Sequence, residues 1–543
     1  MKMQRIAIMS VPLTLAGAMI AGAGCGQVWP PEETPSRGTL APQTATPTIA
    51  QIPVEVSSGT PGPTTAVPTA PTQTSIPASS AALEPRGPWL LGVGGGDQLS
   101  VLNPDGTGLT AVEHQPLWDT YPDIRLGVEI SNAGWIAVRT SASTWPDPPS
   151  DMSLDLFSLP GVRPTRRIPL FSQALVARMG DIGEHTQPYE EQPVEGPNWR
   201  YEMAYLAVLS ERNPPRWSPD SRYLAFVGAI DGPSSDLYVY DTQTDQVRRL
   251  TDGPNQTAIL GWSPDSWWLI HSEASTTMIA DGGEIGGFPA DAVWAAAADG
   301  SEVRRLYGPA GVESILGWVS DAEFLVERWS GYIFLHDLRV VDVSTGAERT
   351  LYPGDFYNSA LAPGPRIAVV DAVSEWISED EYFPGGLHLV PLDTAVPKPV
   401  RPGVEGFSAL RVEWFPQLDQ FLAGDFGVSR LFMPSGEITQ TFQNETGWPA
   451  VSPDGSWLAF GGERERPGLR MYGADGQMAR EISRENTHNF VWATDSSALY
   501  YLVMTADSNR LMVVPIPDGE PIQLHANPGL YRFVLVDGPK GSE

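Results

Sequence analysis

The chain has a single cysteine, Cys25, so no disulfide can close within it and the fold must rest on a buried core. Lysine is nearly absent too: Lys2, Lys398 and Lys540 are the only three, and arginine supplies the remaining positive charge. Acidic residues number 65 against 34 basic ones, a net charge of −31. Nucleic acid and anionic lipid both draw on basic patches, so this balance disfavours them as partners. The seven histidines are scattered and form no His-x-x-x-His pair, which leaves metal binding without a local motif. Gly261-Trp262-Ser263-Pro264-Asp265 lacks the second glycine of a nucleophile elbow. Gly92-Val93-Gly94-Gly95-Gly96 leads into a strand, where a phosphate-cradling loop would open a helix. Asp281-Gly282-Gly283-Glu284 is better explained as a turn than as a calcium loop. No catalytic residue, no metal and no cofactor is expected, and the chain reads as a non-enzyme.

What the chain has in quantity is turns, with 52 prolines and 54 glycines. Residues 217–251 show how they are used. Trp217-Ser218-Pro219-Asp220-Ser221 is turn chemistry, because proline presets φ and the aspartate can bond backbone two residues on. Tyr223–Val227, Asp236–Asp241 and Val247–Thr251 are short, β-branched or aromatic runs bounded by turn residues, which predicts strands. The unit then recurs. Trp262-Ser263-Pro264-Asp265, Val451-Ser452-Pro453-Asp454-Gly455 and Trp492-Ala493-Thr494-Asp495 repeat the anchor, each followed by an apolar run. Trp318-Val319-Ser320-Asp321 and Trp414-Phe415-Pro416 are looser copies, and the copies at Ile130 and Leu361 have lost the tryptophan. A period of roughly 40–55 residues with four strands each is that of a propeller blade.

The Trp-Ser-Pro-Asp-Gly/Ser-x-x-Leu-Ala-Phe pattern resembles the TolB-type, WD-repeat-like β-propeller repeat and covers most of residues 88–536. The resemblance implies an all-β fold, a single propeller of four-stranded blades used as a binding scaffold, and no chemistry by itself. Residues 88–113 look like strands two to four of a blade without its first strand, and Leu530–Val536 supplies a spare one. Pairing the two would close the ring and remove both open sheet edges. Counting that composite blade there are nine candidate modules. Propellers typically have four to eight blades, so about eight are expected, with seven or nine possible.

Residues 1–25 have the form of a targeting segment: Lys2 and Arg5 precede an apolar run, Ile6–Ile20, too short to span a bilayer comfortably. Cys25 closes that run and resembles a bacterial lipoprotein site, where the thiol is acylated after cleavage. The alternative is ordinary signal cleavage after Ala21-Gly22-Ala23. Both give an exported protein: an extracytoplasmic lipoprotein of the cell envelope, touching membrane through its lipid alone, or a secreted one. Residues 26–87 form a Pro/Thr/Ala-rich tether with too little apolar material to offset ordering entropy. Its reach is about 190 Å if fully polyproline-like and about 45 Å as a flexible coil. The propeller domain, 88–543, carries an insertion at 171–214 with a predicted helix over Asn198–Arg212.

In a blade the first-to-second and third-to-fourth turns share one face, while second-to-third loops and inter-blade connections share the other. Here the long segments all fall in the second set: Ser141–Asp151, Ser272–Asp291, Arg328–Asp337, Ala372–Gly386 and the insertion. Long loops on a rigid scaffold are where binding is usually placed. These are acidic with interleaved aromatics, and the candidate binding residues are Trp376, Glu379, Asp380, Tyr382, Phe383, Trp145, Phe288 and Trp329. Aromatic faces stack on sugars and carboxylates bond hydroxyls or basic groups, so a protein, peptide or glycan partner is expected. The competing expectation is a polysaccharide hydrolase or lyase with its site in the central funnel.

Overall fold

The computed structural model describes residues 82–538 outside 95–97, 115–127, 142–150, 179–198, 211–212, 276–277, 280–284, 288–289, 309–312, 330–334, 374, 377–381, 384–385, 395–397, 400–410, 425–427, 444, 446–448, 462–466 and 528. Cys25 and residues 26–81 of the tether lie outside the described residues, while Leu83 near its end packs against the core of blades 1 and 2.

Seven four-stranded antiparallel sheets are separate, and an eight-stranded sheet consists of two more blades joined by a single bridge between Leu335 and Phe356. The ring therefore has nine blades, within the expected seven to nine. Every module found in the sequence is a blade, the two without tryptophan included. Their first strands still end on an apolar side chain, Ile130 and Ala362, followed by a tight turn. Ring closure takes the expected form. Trp89–Gly94 pairs antiparallel with Leu530–Val536, from Trp89 opposite Val536 to Gly94 opposite Leu530. We number this composite blade 1 and proceed along the chain to blade 9.

The first strand of each blade is the innermost. Val128–Ile130 of blade 2, Arg216–Trp217 of blade 3, Gln256–Trp262 of blade 4, Glu313–Trp318 of blade 5 and Phe356–Ala362 of blade 6 each touch the next in turn. The apolar core is not one mass but a series of layers between blades. Trp89, Ile136 and Phe157 join blades 1 and 2, and Leu156, Phe226 and Trp262 join blades 2, 3 and 4. Blades 4 and 5 meet through Ile270 and Phe324, and blades 5 and 6 through Leu325 and Phe356. The series runs on to Leu511 and Phe533 between blades 9 and 1. One sheet cannot bury both faces alone, so each blade is held by its neighbours.

The Ser-Pro-Asp turns explain themselves atom by atom. In blade 3 the Ser218 Oγ donates to Asp220 at 2.6 Å and accepts from the Tyr223 N–H at 2.9 Å. The Asp220 carboxylate in turn accepts from the Arg222 N–H at 3.0 Å. Blade 8 repeats the set with Ser452, Asp454, Trp457 and Ser456. The residue after the aspartate is left-handed, with φ of 62° at Ser221, 65° at Ser266, 63° at Ser496 and 73° at Gly455. Gly455 is required there: a Cβ would lie 2.7 Å from the Gln417 carbonyl oxygen of the preceding turn. The serines have another use, since Ser266 Oγ accepts from the Asp220 N–H at 3.0 Å and Ser496 Oγ from the Asp454 N–H at 3.1 Å. Turn is thus tied to turn around one rim.

Candidate functional site

Strand order places the short Ser-Pro-Asp turns and the third-to-fourth turns on one rim, and all the long connections on the other. Several of those connections carry structure of their own. Within 372–386, Glu375–Trp376 and Tyr382–Phe383 form a two-stranded ribbon, Trp376 opposite Tyr382 and Glu375 opposite Phe383. Within 274–292, Met278–Ile279 pairs with Ile285–Gly287. Three of the candidate residues, Trp376, Tyr382 and Phe383, are therefore brought onto one ribbon. Trp329 ends the second strand of blade 5, opposite Leu335. Trp145, Phe288, Glu379 and Asp380 lie outside the described residues.

The insertion sits on the same rim. Its helix, Trp199–Leu209, packs on the second strand of blade 3 and the innermost strand of blade 4. Tyr205 and Val208 are buried as one face, with Tyr201 half-buried beside them. Phe171 stacks on Tyr205 with ring centroids 5.6 Å apart, and the Arg178 guanidinium lies 4.6 Å from the centre of the Tyr201 ring. Asn213 then locks the exit of the insertion, its amide donating to the carbonyls of Ala207 at 3.2 Å and Thr257 at 3.0 Å and accepting from the Ile259 N–H at 3.0 Å. Phe171, Tyr201 and Tyr205, the described aromatics of the insertion, are spent on holding it down.

The sequence did not single out the ionisable groups that the ring buries toward this rim. The fifth residue of the second strand is Val93 in blade 1, Val227 in blade 3 and Leu502 in blade 9, but Arg139 in blade 2, Glu327 in blade 5 and Asp371 in blade 6. Glu327 is 2% exposed and accepts hydrogen bonds from Ser314 of its own blade, at 3.2 Å, and from Ser359 of the next. Burial outweighs those bonds and pushes its carboxyl up to about 7. His271, fully buried on the second strand of blade 4, makes no hydrogen bond through either ring nitrogen, and burial pushes its imidazole down to about 3. The signal was present in the sequence, a charged residue where the repeat calls for an apolar one. Among the described residues no group of three His, Cys, Asp or Glu is placed to hold a metal ion.

Fold and turns together define a β-propeller, TolB-like and WD-repeat-like in its repeat, with one plain rim and one elaborated rim. No protein-family model matches the chain. A stretch of 51 residues is 45% identical to an uncharacterized peptidase of Bacillus subtilis (strain 168), YuxL, and spans 9% of this chain and 8% of that protein. That is about the length of one blade, and the chain spans less than a tenth of this relative. The crystal structure of a eukaryotic initiation factor shares the fold with a TM-score of 0.51 at 10% identity, over 84% of this chain and 99% of that one. TolB from Acinetobacter baumannii is also similar, at a TM-score of 0.26 and 12% identity, over 81% of this chain and 66% of that one.

Proposed function

We propose that this propeller is an exported binding scaffold that takes a protein, peptide or glycan partner on its elaborated rim. In this proposal an acyl chain on Cys25 holds it at the cell envelope and the tether of residues 26–87 holds the ring away from the membrane. The observation that carries the binding role is the segregation of the long connections to one rim, with Trp376 opposite Tyr382 on a two-stranded ribbon. A rigid ring presenting long loops on one side suits recognition better than chemistry. The match to a peptidase spans a blade's length only, so it favours a shared repeat over a shared reaction.

The test is a capture experiment with the full chain and a variant in which residues 374–384 are replaced by a short Gly-Ser turn. The partner should be recovered by the wild type and lost, at least tenfold, by the variant while the thermal midpoint is kept. Equal recovery would remove the ribbon from the binding surface. Turnover of polysaccharide or peptide by the purified wild type would replace the scaffold by an enzyme. The envelope anchor is tested separately: labelled palmitate should enter the wild type and not Cys25→Ser, and no incorporation in the wild type would return Cys25 to a cleaved or secreted form.

A further inference from the structure

The innermost strands of blades 1, 2 and 3 bring charges together that the loop rim does not use. Glu129 of blade 2 stands opposite Ala137, and Arg216 of blade 3 opposite Ala225. Ala137 and Ala225 hold the same place in the repeat, so Glu129 and Arg216 stand at one level of the channel wall. Arg532 of blade 1 is opposite Val93, two places farther toward the elaborated rim, a level it shares with Arg139 in the second strand of blade 2. Glu129, Arg216 and Arg532 are half-buried, while Arg139 is 2% exposed.

Three guanidinium groups thus act on one carboxylate. The carboxylate does not satisfy Arg139 and Arg216. Among the described residues no ion pair or hydrogen bond reaches the Glu129 carboxylate, whose surroundings act on it through burial and charge alone. The Nε atoms of Arg139 and Arg216 are buried and make no hydrogen bond. Arg139 Nη2 gives one bond, to the Asn213 carbonyl at 2.6 Å. A buried donor without an acceptor costs about 1–3 kcal/mol, and more when it is charged. An acceptor from outside the chain would offset that cost. In a chain of net charge −31, three arginines are gathered here around one glutamate.

We infer that the channel wall of blades 1 to 3 is a binding site for an oxyanion, a carboxylate or phosphate group of a small ligand, gripped by Arg216 and Arg532 with Arg139 behind them. Guanidinium forks match such groups with paired, charge-assisted hydrogen bonds. Glu129 sets the conditions of binding. Burial pushes its carboxyl up to about 7 against the pull of Arg216, Arg139 and Arg532. An anion settling beside it favours the protonated form, so binding takes up a proton and strengthens as pH falls through about 7. The site stands apart from the partner proposed for the loop rim, and each can fail without the other.

The experiment is calorimetric titration of the full-length protein with sulfate, whose own charge is constant over the range used. Saturable binding is expected, at least tenfold tighter at about pH 6 than at about pH 8. Arg216→Gln should weaken it tenfold or more. Glu129→Gln should tighten it several-fold at about pH 8 and flatten the pH dependence, a gain that damage to the fold would not produce. Comparison of phenyl phosphate with succinate then tells whether a phosphate or a carboxylate group suits the site. Absence of saturable sulfate binding to the wild type, or equal affinity of wild type and Glu129→Gln at both pH values, would overturn the site.

Discussion

The indole Nε1 of Trp262 donates to the backbone carbonyl of Arg216 at 2.9 Å, across the boundary between blades 3 and 4. Trp217 does the same to Glu129 of blade 2 at 3.3 Å, and Trp492 to Ala450 of blade 8 at 3.1 Å. The tryptophan that marks the repeat in sequence is therefore a bolt between innermost strands, and two of the three bolts end on the residues that charge the channel wall. Trp262 also stacks on Tyr223, centroids 6.1 Å apart. Trp262→Phe keeps a ring in that stack and removes the bolt. It should lower stability by about 1 kcal/mol, with a further loss if the Arg216 carbonyl is left unpaired. Denaturant midpoints of wild type and variant measure this, and an unchanged midpoint would show that the bond contributes nothing.

The left-handed serines allow two effects to be separated at one position. Ser266→Gly relieves a backbone at φ 65° but loses the acceptor for the Asp220 N–H. Ser266→Ala keeps the strain and loses the same bond. The alanine variant should therefore be the less stable of the two by about 1 kcal/mol, with glycine close to wild type. Thermal unfolding of both gives the order, and alanine equal to glycine would mean that the turn moves to suit its residue.

Glu327 makes stability depend on pH in a definite sense. Its carboxyl titrates at about 7 in the fold against an ordinary 4.5, so the folded state holds the proton more tightly. The stabilisation is complete below the ordinary value and is lost as pH rises through about 7. Glu327→Gln, an amide that mimics the protonated acid, should gain on the order of 1–3 kcal/mol at about pH 8 and little at about pH 5. His271 acts in the opposite direction. Held at about 3 in the fold against an ordinary 6.5, it lowers stability as pH falls through that interval. His271→Leu should remove this acid-side loss. Midpoints measured across pH read both variants, and parallel pH profiles for wild type and variant would exclude the residue concerned.

Glu445 and Arg470 form a pair that is buried on both sides, with Nε–Oε1 at 2.6 Å and Nη2–Oε2 at 2.8 Å. The Tyr472 hydroxyl adds a bond to Oε1 at 2.6 Å. Arg470→Met leaves a buried carboxylate without its counter-ion and should cost about 3–5 kcal/mol. Adding Glu445→Leu to that variant should recover most of the loss, because the desolvated charge is gone. Denaturation of the two single variants and the double variant completes the cycle, and additive losses would show that the two side chains do not act as a pair.

Most of the scaffold could be read from local chemistry. Ser218-Pro219-Asp220-Ser221 closes its turn with bonds two to five residues apart, so the turn is written wherever the residues recur. The spare strand Leu530–Val536 was legible because Trp89–Gly94 lacked a partner. The blade count was less so, since the copies at Ile130 and Leu361 keep only the apolar anchor and the turn. The predicted helix over Asn198–Arg212 is found as Trp199–Leu209, with Tyr205 and Val208 on its buried face. Trp376 and Tyr382 were marked as candidates, but their pairing across a ribbon needed the loop to fold back on itself.

The sequence by itself determined the repeat, the strand-turn alternation, the closure of the ring and the rim to which the long connections go, because each follows from hydrogen bonds between near neighbours or from order along the chain. Only the tertiary structure decided that Arg139, Arg216 and Arg532 meet at Glu129. They come from three blades and both ends of the fold, and no spacing along the chain encodes the distance across a channel. The shifted acidity of Glu327 and His271 belongs to the same level, since desolvation is a property of what surrounds a side chain and not of its neighbours in sequence.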